Sequence, residues 1–258
     1  MLVFIGLGLH GEGISLQGLQ AAGEADTIYA ELYTSLVPEF NLKEFERKIG
    51  KSIHVVNRKT VEEQPDEILK AAKTDKVAFL VPGDPMVATT HIDLRLRAAK
   101  AGIETKVVHA ASIASAAAGL AGLQSYKFGR VTTIPFPDNL SQTPYEALVE
   151  NRARRLHTLF LLDIRAEEGR AMTANEAIGI MLELEKKLQK NVFTQDTLVV
   201  VVARAGSDNA QVKADKVERL QRFDFGPQPH VLIVPGKLHF VEVEALKVFA
   251  GAPEEAVG

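Results

Sequence analysis

Short apolar runs rich in β-branched residues recur along the chain, and longer amphipathic stretches separate them. Several runs are apolar at consecutive positions, as expected for a strand that helices cover on both faces. The runs predict strands at residues 2–6, 27–30, 53–56, 77–81, 105–109, 130–134, 158–163, 198–203 and 231–234. Apolar spacing near the helical period predicts helices between them, at residues 15–25, 40–49, 61–73, 87–101, 112–121, 143–155, 173–190 and 238–250.

The alternation of strands and helices favours an α/β fold with mostly parallel sheets. The number of strands suggests two sheets of about four or five strands each, which is a common size. Alanine and glycine crowd residues 110–125. We therefore expect an N-terminal α/β domain at residues 1–112 and a C-terminal α/β domain at residues 113–258. Residues 173–176 match the capping-box spacing, which predicts a helix start at that point.

Composition limits the possible functions. Of the 258 residues, 46% are hydrophobic and 24% are charged, as in an ordinary soluble protein. The net charge of -3 argues against a broad basic face, so no direct nucleic-acid partner is expected. The longest apolar run, residues 197–203, is too short for a membrane helix, and no secretory signal precedes the first strand. Because the chain also has no cysteine, we expect a cytoplasmic protein that does not bind membranes.

The segment after the first strand is rich in glycine. Gly6-Leu7-Gly8-Leu9-His10-Gly11 matches the G-x-G-x-x-G pattern of dinucleotide-binding loops, and Asp26 and Glu31 follow as candidate ribose partners. In that fingerprint the third glycine packs inside the opening turn of the helix, whereas here the best helix cap, Ser15, comes after Gly11 and further loop residues. Two interpretations stay open at this point, a glycine-rich turn without a ligand and a site for a dinucleotide such as NAD.

A second turn follows the apolar strand at residues 77–81. Val81-Pro82-Gly83-Asp84-Pro85 is stiffened by its two prolines, and it lies at the carboxyl end of the strand, where open α/β sheets bind ligands. Asp84 could accept hydrogen bonds there from an amine or a hydroxyl. It could equally be the N-cap of a helix that starts at residue 86, which is a common role for aspartate.

Taken together, these two turns resemble those of the tetrapyrrole methylase superfamily of methyltransferases. Longer strings are similar to the diphthine synthase family within it. In chain order these strings are AELYTSL (30–36), GDPMVATTH (83–91), MTANEA (172–177), ARAGS (203–207) and PHVLIVPGKLH (229–239). They span nearly the whole chain, and their order matches that of the family.

The resemblance implies two α/β domains with S-adenosylmethionine bound in the cleft between them. It also implies that the cofactor leaves as S-adenosylhomocysteine, and that the enzyme is a homodimer. The implied substrate is translation elongation factor 2, whose modified histidine (3-carboxy-3-aminopropyl-histidine) is trimethylated on its amino group to give diphthine. Two alternatives remain, a methyltransferase that acts on a tetrapyrrole or corrin precursor and an NAD-dependent dehydrogenase. The family's cofactor contacts fall on Leu9, Asp84, Val87, Ser112, Ile113, Leu162, Ala205 and His230.

Several of these residues also have an interpretation that needs no ligand. Ser112 suits an ordinary helix cap, although an electropositive helix start would also attract a carboxylate. Leu162 and Ala205 suit core positions at strand ends. His230, at the start of a strand, is more typical of a surface or packing residue.

No general base can be assigned from the sequence. The candidates from the matched strings and the strand ends are Tyr33, His91, Asp163 and His239. The corresponding structural roles are packing for Tyr33, a solvent-facing helix position for His91, capping of a strand end for Asp163 and a helix cap for His239. The seven histidines are scattered without H-x-x-x-H spacing, so no metal site is expected.

Overall fold

The structure is a computed structural model that describes residues 1–139 and 141–257. The chain divides into two compact units. The first holds residues 1–113 together with 166–168, and the second holds residues 114–165 and those from 169 onward. Each unit is an α/β assembly around a five-stranded sheet, so the predicted fold class is confirmed.

The sheet of the first unit is parallel throughout, with the strand order β3-β2-β4-β1-β5. Its strands are β1 (Leu2–Gly6), β2 (Thr27–Glu31), β3 (His54–Val56), β4 (Val77–Val81) and β5 (Thr105–Val108). The helices are α1 (Leu16–Glu24), α2 (Leu42–Ile49), α3 (Arg58–Glu62), α4 (Asp66–Thr74) and α5 (His91–Lys100). Because all five strands run the same way, their carboxyl ends lie along one edge of the sheet.

Alternate residues of these strands build two separate cores. Leu2, Phe4 and Phe79 belong to one apolar cluster, whereas Val3 and Ile5 belong to another. This follows from strand geometry, since successive side chains point to opposite faces of a sheet. Both faces are therefore apolar and buried, as the consecutive apolar residues of β1 and β4 predict.

The second unit has a sheet with the order β11-β10-β12-β7-β6. Its main strands are β6 (Thr132–Ile134), β7 (Thr158–Leu162), β10 (Leu198–Ala203), β11 (Gln211–Lys216) and β12 (His230–Val234), and a small hairpin is formed by β8 (Ile164–Arg165) and β9 (Arg170–Ala171). The helices that follow β5 along the chain are α6 (Ile113–Ala121), α7 (Thr143–Ala153), α8 (Ala174–Leu188), α9 (Val217–Leu220), α10 (Phe240–Ala250) and α11 (Glu254–Val257). Short 3-10 helices occur at Ser125–Lys127, Pro137–Asn139 and Ala166–Glu168.

The prediction of mostly parallel sheets is wrong for the second unit. Among the described strands of its sheet, β6 pairs with β7 in parallel, while β7, β12, β10 and β11 pair antiparallel. The strand β11 was not predicted, because Gln211–Lys216 mixes polar and apolar residues instead of forming an apolar run. It lies at the edge of the sheet and pairs only with β10, where polar residues are tolerated.

Two predicted helices also differ from the structure. The helix expected at residues 61–73 is two helices, α3 and α4, since Pro65 interrupts the chain between them. The helix expected from residue 87 begins only at His91, because Ala88 has a positive φ of 55° inside the preceding turn. Asp84 is therefore not the N-cap of a helix that starts at residue 86.

The predicted helix caps are confirmed. The Ser15 hydroxyl accepts a hydrogen bond from the Gly18 amide at 3.1 Å. Thr173 and Glu176 form a reciprocal capping box at the start of α8. Within the part of the chain that the structure describes, no helix is both long enough and apolar enough to span a bilayer.

Candidate functional site

The turns that follow β1 and β4 are hydrogen-bonded to each other. The Leu7 amide donates to the Val81 carbonyl at 2.8 Å. Beyond the strand ends, the Gly8 amide donates to the Gly83 carbonyl at 3.1 Å, and the Gly83 amide donates to the Gly8 carbonyl at 2.9 Å. The two motifs that were singled out in the sequence therefore form one structure at the carboxyl edge of the first sheet.

Close packing explains the glycines of the first turn. A Cβ at Gly6 would lie 2.5 Å from the Gly83 carbonyl oxygen and 2.7 Å from the Ala110 Cβ. Gly8 has a φ of +74°, and a Cβ there would lie 2.5 Å from the Gly13 carbonyl oxygen. A Cβ at Gly11 would lie 2.3 Å from the Glu39 carbonyl oxygen, so this glycine packs against a loop and not inside the first turn of α1. That arrangement disfavours the dinucleotide fingerprint.

Asp84 connects the turn after β4 to the end of β5. One carboxylate oxygen, Oδ1, accepts a hydrogen bond from the Met86 amide at 2.9 Å. The other, Oδ2, accepts from Nδ1 of His109 at 2.8 Å and from the Ala110 amide at 3.3 Å. Asp84 is buried, and these three bonds fix its carboxylate in one orientation. These bonds link the turn after β4 to the residues that follow β5.

The remaining candidates of the first unit lie on the same edge. Leu9 follows Gly8 and is half-buried. Val87 lies in the turn after Asp84 and is exposed, which leaves its apolar side chain available for contact. Ser112 immediately precedes α6, and Ile113 is the first residue of that helix. These residues follow the carboxyl ends of β1, β4 and β5, which are neighbours in the sheet order.

The candidates of the second unit also share one edge of their own sheet. Leu162 is the last residue of β7, and Ala205 follows the end of β10. His230 begins β12, which runs antiparallel to both strands, and it pairs with Ala203. Leu162 and Ala205 are buried, as core positions at strand ends should be.

Both ring nitrogens of His230 are occupied. Nδ1 accepts a hydrogen bond from the Ala174 amide at 3.2 Å, so Nε2 carries the proton and donates to the Pro227 carbonyl at 3.1 Å. Burial lowers the pKa of this imidazole. The ring therefore packs inside the second unit, and any contact of His230 with a cofactor would have to use its main chain.

The first unit has features that suit an adenosyl-bearing amino acid. Gly83 has a φ of +66°, and a Cβ built there would approach only the Ala111 carbonyl oxygen, at 3.9 Å. The backbone of this turn can thus be approached closely by a flat group. Leu9 and Val87 supply apolar surface nearby in the two linked turns, and the start of α6 is electropositive, which suits a carboxylate.

Two of the candidate bases are buried in the first unit. His91 is the first residue of α5 and is fully buried, so the expectation that it faces solvent is wrong. Its Nδ1 lies 2.6 Å from Oγ1 of Thr89, and its Nε2 lies 3.6 Å from Oε1 of Glu31, which is also fully buried. Tyr33 is buried as well, with the Arg58 guanidinium 5.1 Å from the centre of its ring. Neither side chain is accessible to a substrate.

The other two candidate bases have structural partners in the second unit. The Asp163 carboxylate accepts hydrogen bonds from the amides of Phe136 at 3.1 Å and Ile164 at 2.9 Å, so it caps the end of β7. His239 is the N-cap of α10, as expected, and forms a capping box with Glu242.

One functional candidate was missed in the sequence. His109 follows β5 directly, and its ring is 71% exposed while its Nδ1 is bonded to Asp84. The available signal was its position after a strand at the ligand-binding edge. Its partner is far away in sequence, so the pairing could be recognised only in the fold. Among residues 1–139 and 141–257, no group of three or more possible protein ligands is arranged to hold a metal ion.

The sequence and the fold are similar to those of known methylases. The model of the family described as tetrapyrrole (corrin/porphyrin) methylases matches residues 1–221. The chain is 50% identical to a diphthine synthase from Methanosarcina acetivorans, over 98% of this chain and 97% of that protein. It is 48% identical to a diphthine synthase from Methanothermobacter thermautotrophicus, over 100% of this chain and 98% of the relative. A crystal structure of diphthine synthase superposes with a TM-score of 0.91 at 40% identity, covering 99% of this chain and 98% of that one.

Proposed function

Because the chain belongs to the tetrapyrrole (corrin/porphyrin) methylase family, we propose that this methyltransferase uses S-adenosylmethionine to modify translation elongation factor 2. The acceptor is the amino group of 3-carboxy-3-aminopropyl-histidine, and repeated transfer produces the trimethylammonium of diphthine. The observation that carries this proposal is the similarity over nearly the full length to proteins named diphthine synthase. The linked strand-end turns around Gly8 and Gly83 support it.

Each candidate residue would have a limited task in holding the cofactor. The turns that carry Leu9, Asp84 and Val87 present apolar surface and main chain to the adenosyl group. The start of α6, at Ser112 and Ile113, would bind the carboxylate of the amino-acid part. The family resemblance also assigns cofactor contacts to Leu162, Ala205 and His230, which share one edge of the sheet of the second unit. When bound, the cofactor supplies an electrophilic methyl group on a sulfonium and leaves as S-adenosylhomocysteine.

The protein's contribution to the reaction is mainly alignment and proton removal. Fixing the acceptor nitrogen in line with the methyl group can contribute about 7–11 kcal/mol to lowering the barrier. The attacking amine must be neutral, because an ammonium has no lone pair to form the new bond. The site therefore has to lower the pKa of the amine or supply a residue that accepts its proton.

The family description supports one alternative acceptor, a corrin or porphyrin precursor. Incubation of the protein and S-adenosylmethionine with elongation factor 2 carrying the unmethylated intermediate, and separately with a porphyrinogen, distinguishes the two. We expect the mass of the elongation factor to rise by three methyl groups and the porphyrinogen to stay unchanged. Methylation of the porphyrinogen alone would replace the proposal with its alternative.

Cofactor binding can be tested by calorimetry. We expect about one S-adenosylmethionine site per subunit, with competition by S-adenosylhomocysteine. A titration without heat, together with no competition, would contradict the proposed cofactor. A melting temperature that rises with NAD but not with S-adenosylmethionine would instead favour a dehydrogenase.

We also propose a cytoplasmic homodimer. Large apolar side chains on α10 are exposed within the second unit, including Phe240, Val248 and Phe249, and a second copy of the chain would cover them. Sedimentation should show a dimer that Val248→Asp combined with Phe249→Asp converts to a monomer. Leu16→Asp, at an exposed apolar position of α1, is the matched control and should leave the dimer intact. A wild-type monomer would rule out this assembly.

A further inference from the structure

His109 and Asp84 form a carboxylate–imidazole pair at the carboxyl edge of the first sheet. Nδ1 of His109 lies 2.8 Å from Oδ2 of Asp84. Asp84 is only 6% exposed, whereas the His109 side chain is 71% exposed. A buried carboxylate thus holds one side of a ring whose other side is accessible.

The hydrogen bond determines which ring nitrogen carries the proton. An ionised carboxylate can only accept hydrogen bonds, so Nδ1 of His109 must be the donor. In the neutral ring, Nε2 is then the atom with the free lone pair. The amides of Met86 and Ala110 hold the carboxylate in place, so the orientation of the imidazole is fixed as well. A second partner that orients a histidine in this way is typical of catalytic acid–base pairs.

We propose that His109 is the proton acceptor for the substrate amine and that Asp84 is its positioning residue. This inference rests on the proposed transfer of methyl groups to an amine. His109 lies directly after β5, at the same sheet edge as Leu9 and the Asp84 turn. It is therefore next to the elements proposed to hold the methyl donor.

The proton balance is the same in every round. An N–H bond of the substrate ammonium breaks, a new H–Nε2 bond forms on His109, and the electron pair stays on the amine nitrogen. That pair forms the bond to the methyl carbon while the carbon–sulfur bond breaks and sulfur keeps its electrons. The alkylated nitrogen is again an ammonium, so each of three rounds requires one proton to be removed. Because the ring is exposed, the imidazolium can release its proton to water before the next round.

The other histidines are less suited to this role. Nε2 of His10 is 2.8 Å from Glu39, and its Nδ1 accepts from the Glu12 amide at 3.2 Å. His54 is exposed, but it begins β3 and so lies at the opposite, amino edge of the parallel sheet. Three further histidines are buried, namely His91, His157 and His230. His239 is the N-cap of α10.

The test compares His109→Ala with His54→Ala, an exposed histidine of the same sheet outside the candidate site. In single-turnover assays on elongation factor 2 carrying the intermediate, we expect His109→Ala to slow methyl transfer by about 10²- to 10⁴-fold. Its affinity for S-adenosylmethionine should stay unchanged, and added imidazole should restore part of the rate. His54→Ala should behave as the wild type.

A wild-type rate in His109→Ala would overturn the inference. So would a slowed rate that imidazole does not restore, because a purely structural role predicts that result. If the wild-type protein transfers no methyl group, the proposed function fails; if it does and His109→Ala does too, only the inference fails. Nitrogen NMR of the wild-type protein gives an independent readout, since the Nε2–H tautomer of His109 would contradict the pairing with Asp84.

Discussion

Oε1 of Glu31 lies 3.6 Å from Nε2 of His91, and both side chains are fully buried. This distance is too long for a good hydrogen bond, and in the described part of the chain Nε2 has no hydrogen-bond partner. Burial raises the pKa of Glu31 to about 6 and lowers the pKa of His91 to about 4. At neutral pH, an ionised carboxylate therefore lies beside a neutral imidazole inside the first unit.

The Glu31→Gln variant should change how stability depends on pH. A carboxyl whose pKa is higher in the folded state than its ordinary value of 4.5 stabilises the fold at low pH and loses that contribution as pH rises through about 6. Between pH 4.5 and about 6, the free energy of unfolding of the wild-type protein should thus fall by about 2 kcal/mol. The variant, which has no carboxyl at this position, should not show this fall. The measurement is urea unfolding of both proteins at several pH values.

The Gln side chain keeps one carbonyl oxygen, whereas in the wild type both oxygens of Glu31 accept hydrogen bonds: Oε2 from the Tyr33 and Thr34 amides at 3.1 Å, and Oε1 from the Thr34 hydroxyl at 2.5 Å. Relative to the variant, the wild type should be most stable at low pH, and this difference should decrease as pH rises. Glu44→Gln, at an exposed position of α2, should show no such trend. A constant difference between wild type and Glu31→Gln would show that Glu31 does not titrate in this window.

Glu242→Gln should destabilise the protein. The Glu242 carboxylate is fully buried and accepts hydrogen bonds from the Gln124 amide at 2.9 Å, from His157 Nε2 at 3.0 Å, from the His239 amide at 2.8 Å and from Lys127. Burial alone would raise its pKa, but these donors lower it to about 2. We expect a loss of about 3 kcal/mol in the free energy of unfolding.

The pH dependence of this loss has the opposite sign from that of Glu31. Because the pKa of Glu242 is lower in the folded state, its carboxylate stabilises the fold at pH values above 4.5. This contribution disappears as the pH falls from 4.5 through about 2. Thermal unfolding at neutral and acidic pH measures it. Glu244→Gln, an exposed position on the same helix, should change stability by less than about 0.5 kcal/mol. An equally small effect of Glu242→Gln would mean that the hydrogen bonds to the Glu242 carboxylate contribute little to the stability of the fold.

Gly6→Ala should disturb the linked turns. Its Cβ would lie 2.5 Å from the Gly83 carbonyl oxygen, and that backbone can move only by shifting the turn after β4. Overpacking of this kind typically costs about 1–3 kcal/mol, and affinity for S-adenosylmethionine should fall with it. Gly23→Ala, in α1, meets no atom within 4 Å and should be neutral or slightly stabilising. Equal unfolding midpoints for the two variants would argue against close packing at Gly6.

Asp84→Ala should weaken cofactor binding by about 10- to 100-fold while leaving the fold intact. The variant removes the acceptor of the Met86 and Ala110 amides, so some stability should be lost as well. Asp93→Ala, at an exposed position in the first turn of α5, is the control and should bind S-adenosylmethionine as the wild type does. Calorimetry that finds unchanged affinity in Asp84→Ala would remove this residue from the site.

Strands with a continuous apolar sequence could be predicted almost to the residue. β1, β4 and β10 have the predicted bounds. A strand that is buried on both faces has consecutive apolar residues, and this short apolar run is easily recognised in the sequence. The edge strand β11 has no such run, since its sequence mixes polar and apolar residues. Strand direction in the second sheet was also mispredicted, because it depends on pairing between distant segments.

The candidate site shows the same division between local and distant information. The glycine turn and the Pro-Gly-Asp-Pro turn were recognisable locally, because glycine and proline restrict the backbone directly. The contact between Asp84 and His109 joins the ends of β4 and β5, which are not adjacent in the sheet order. No sequence pattern predicts this contact. The burial of His91 in α5 was missed for the same reason, since its neighbours Glu31 and Phe79 come from β2 and β4, which lie earlier in the chain.

The parallel arrangement of the first sheet determines where insertions and deletions in the sequence would leave the candidate site unchanged. Gly6 and Val81 are aligned in the pairing of β1 with β4, and the turns that carry Leu9 and Asp84 begin just after them. Extra residues in a loop at the amino ends of the strands, such as the one before β3, would leave this alignment unchanged. Deletion of a single residue inside β4 would shift the strand by one position, reverse the faces of its side chains and point Asp84 away from His109.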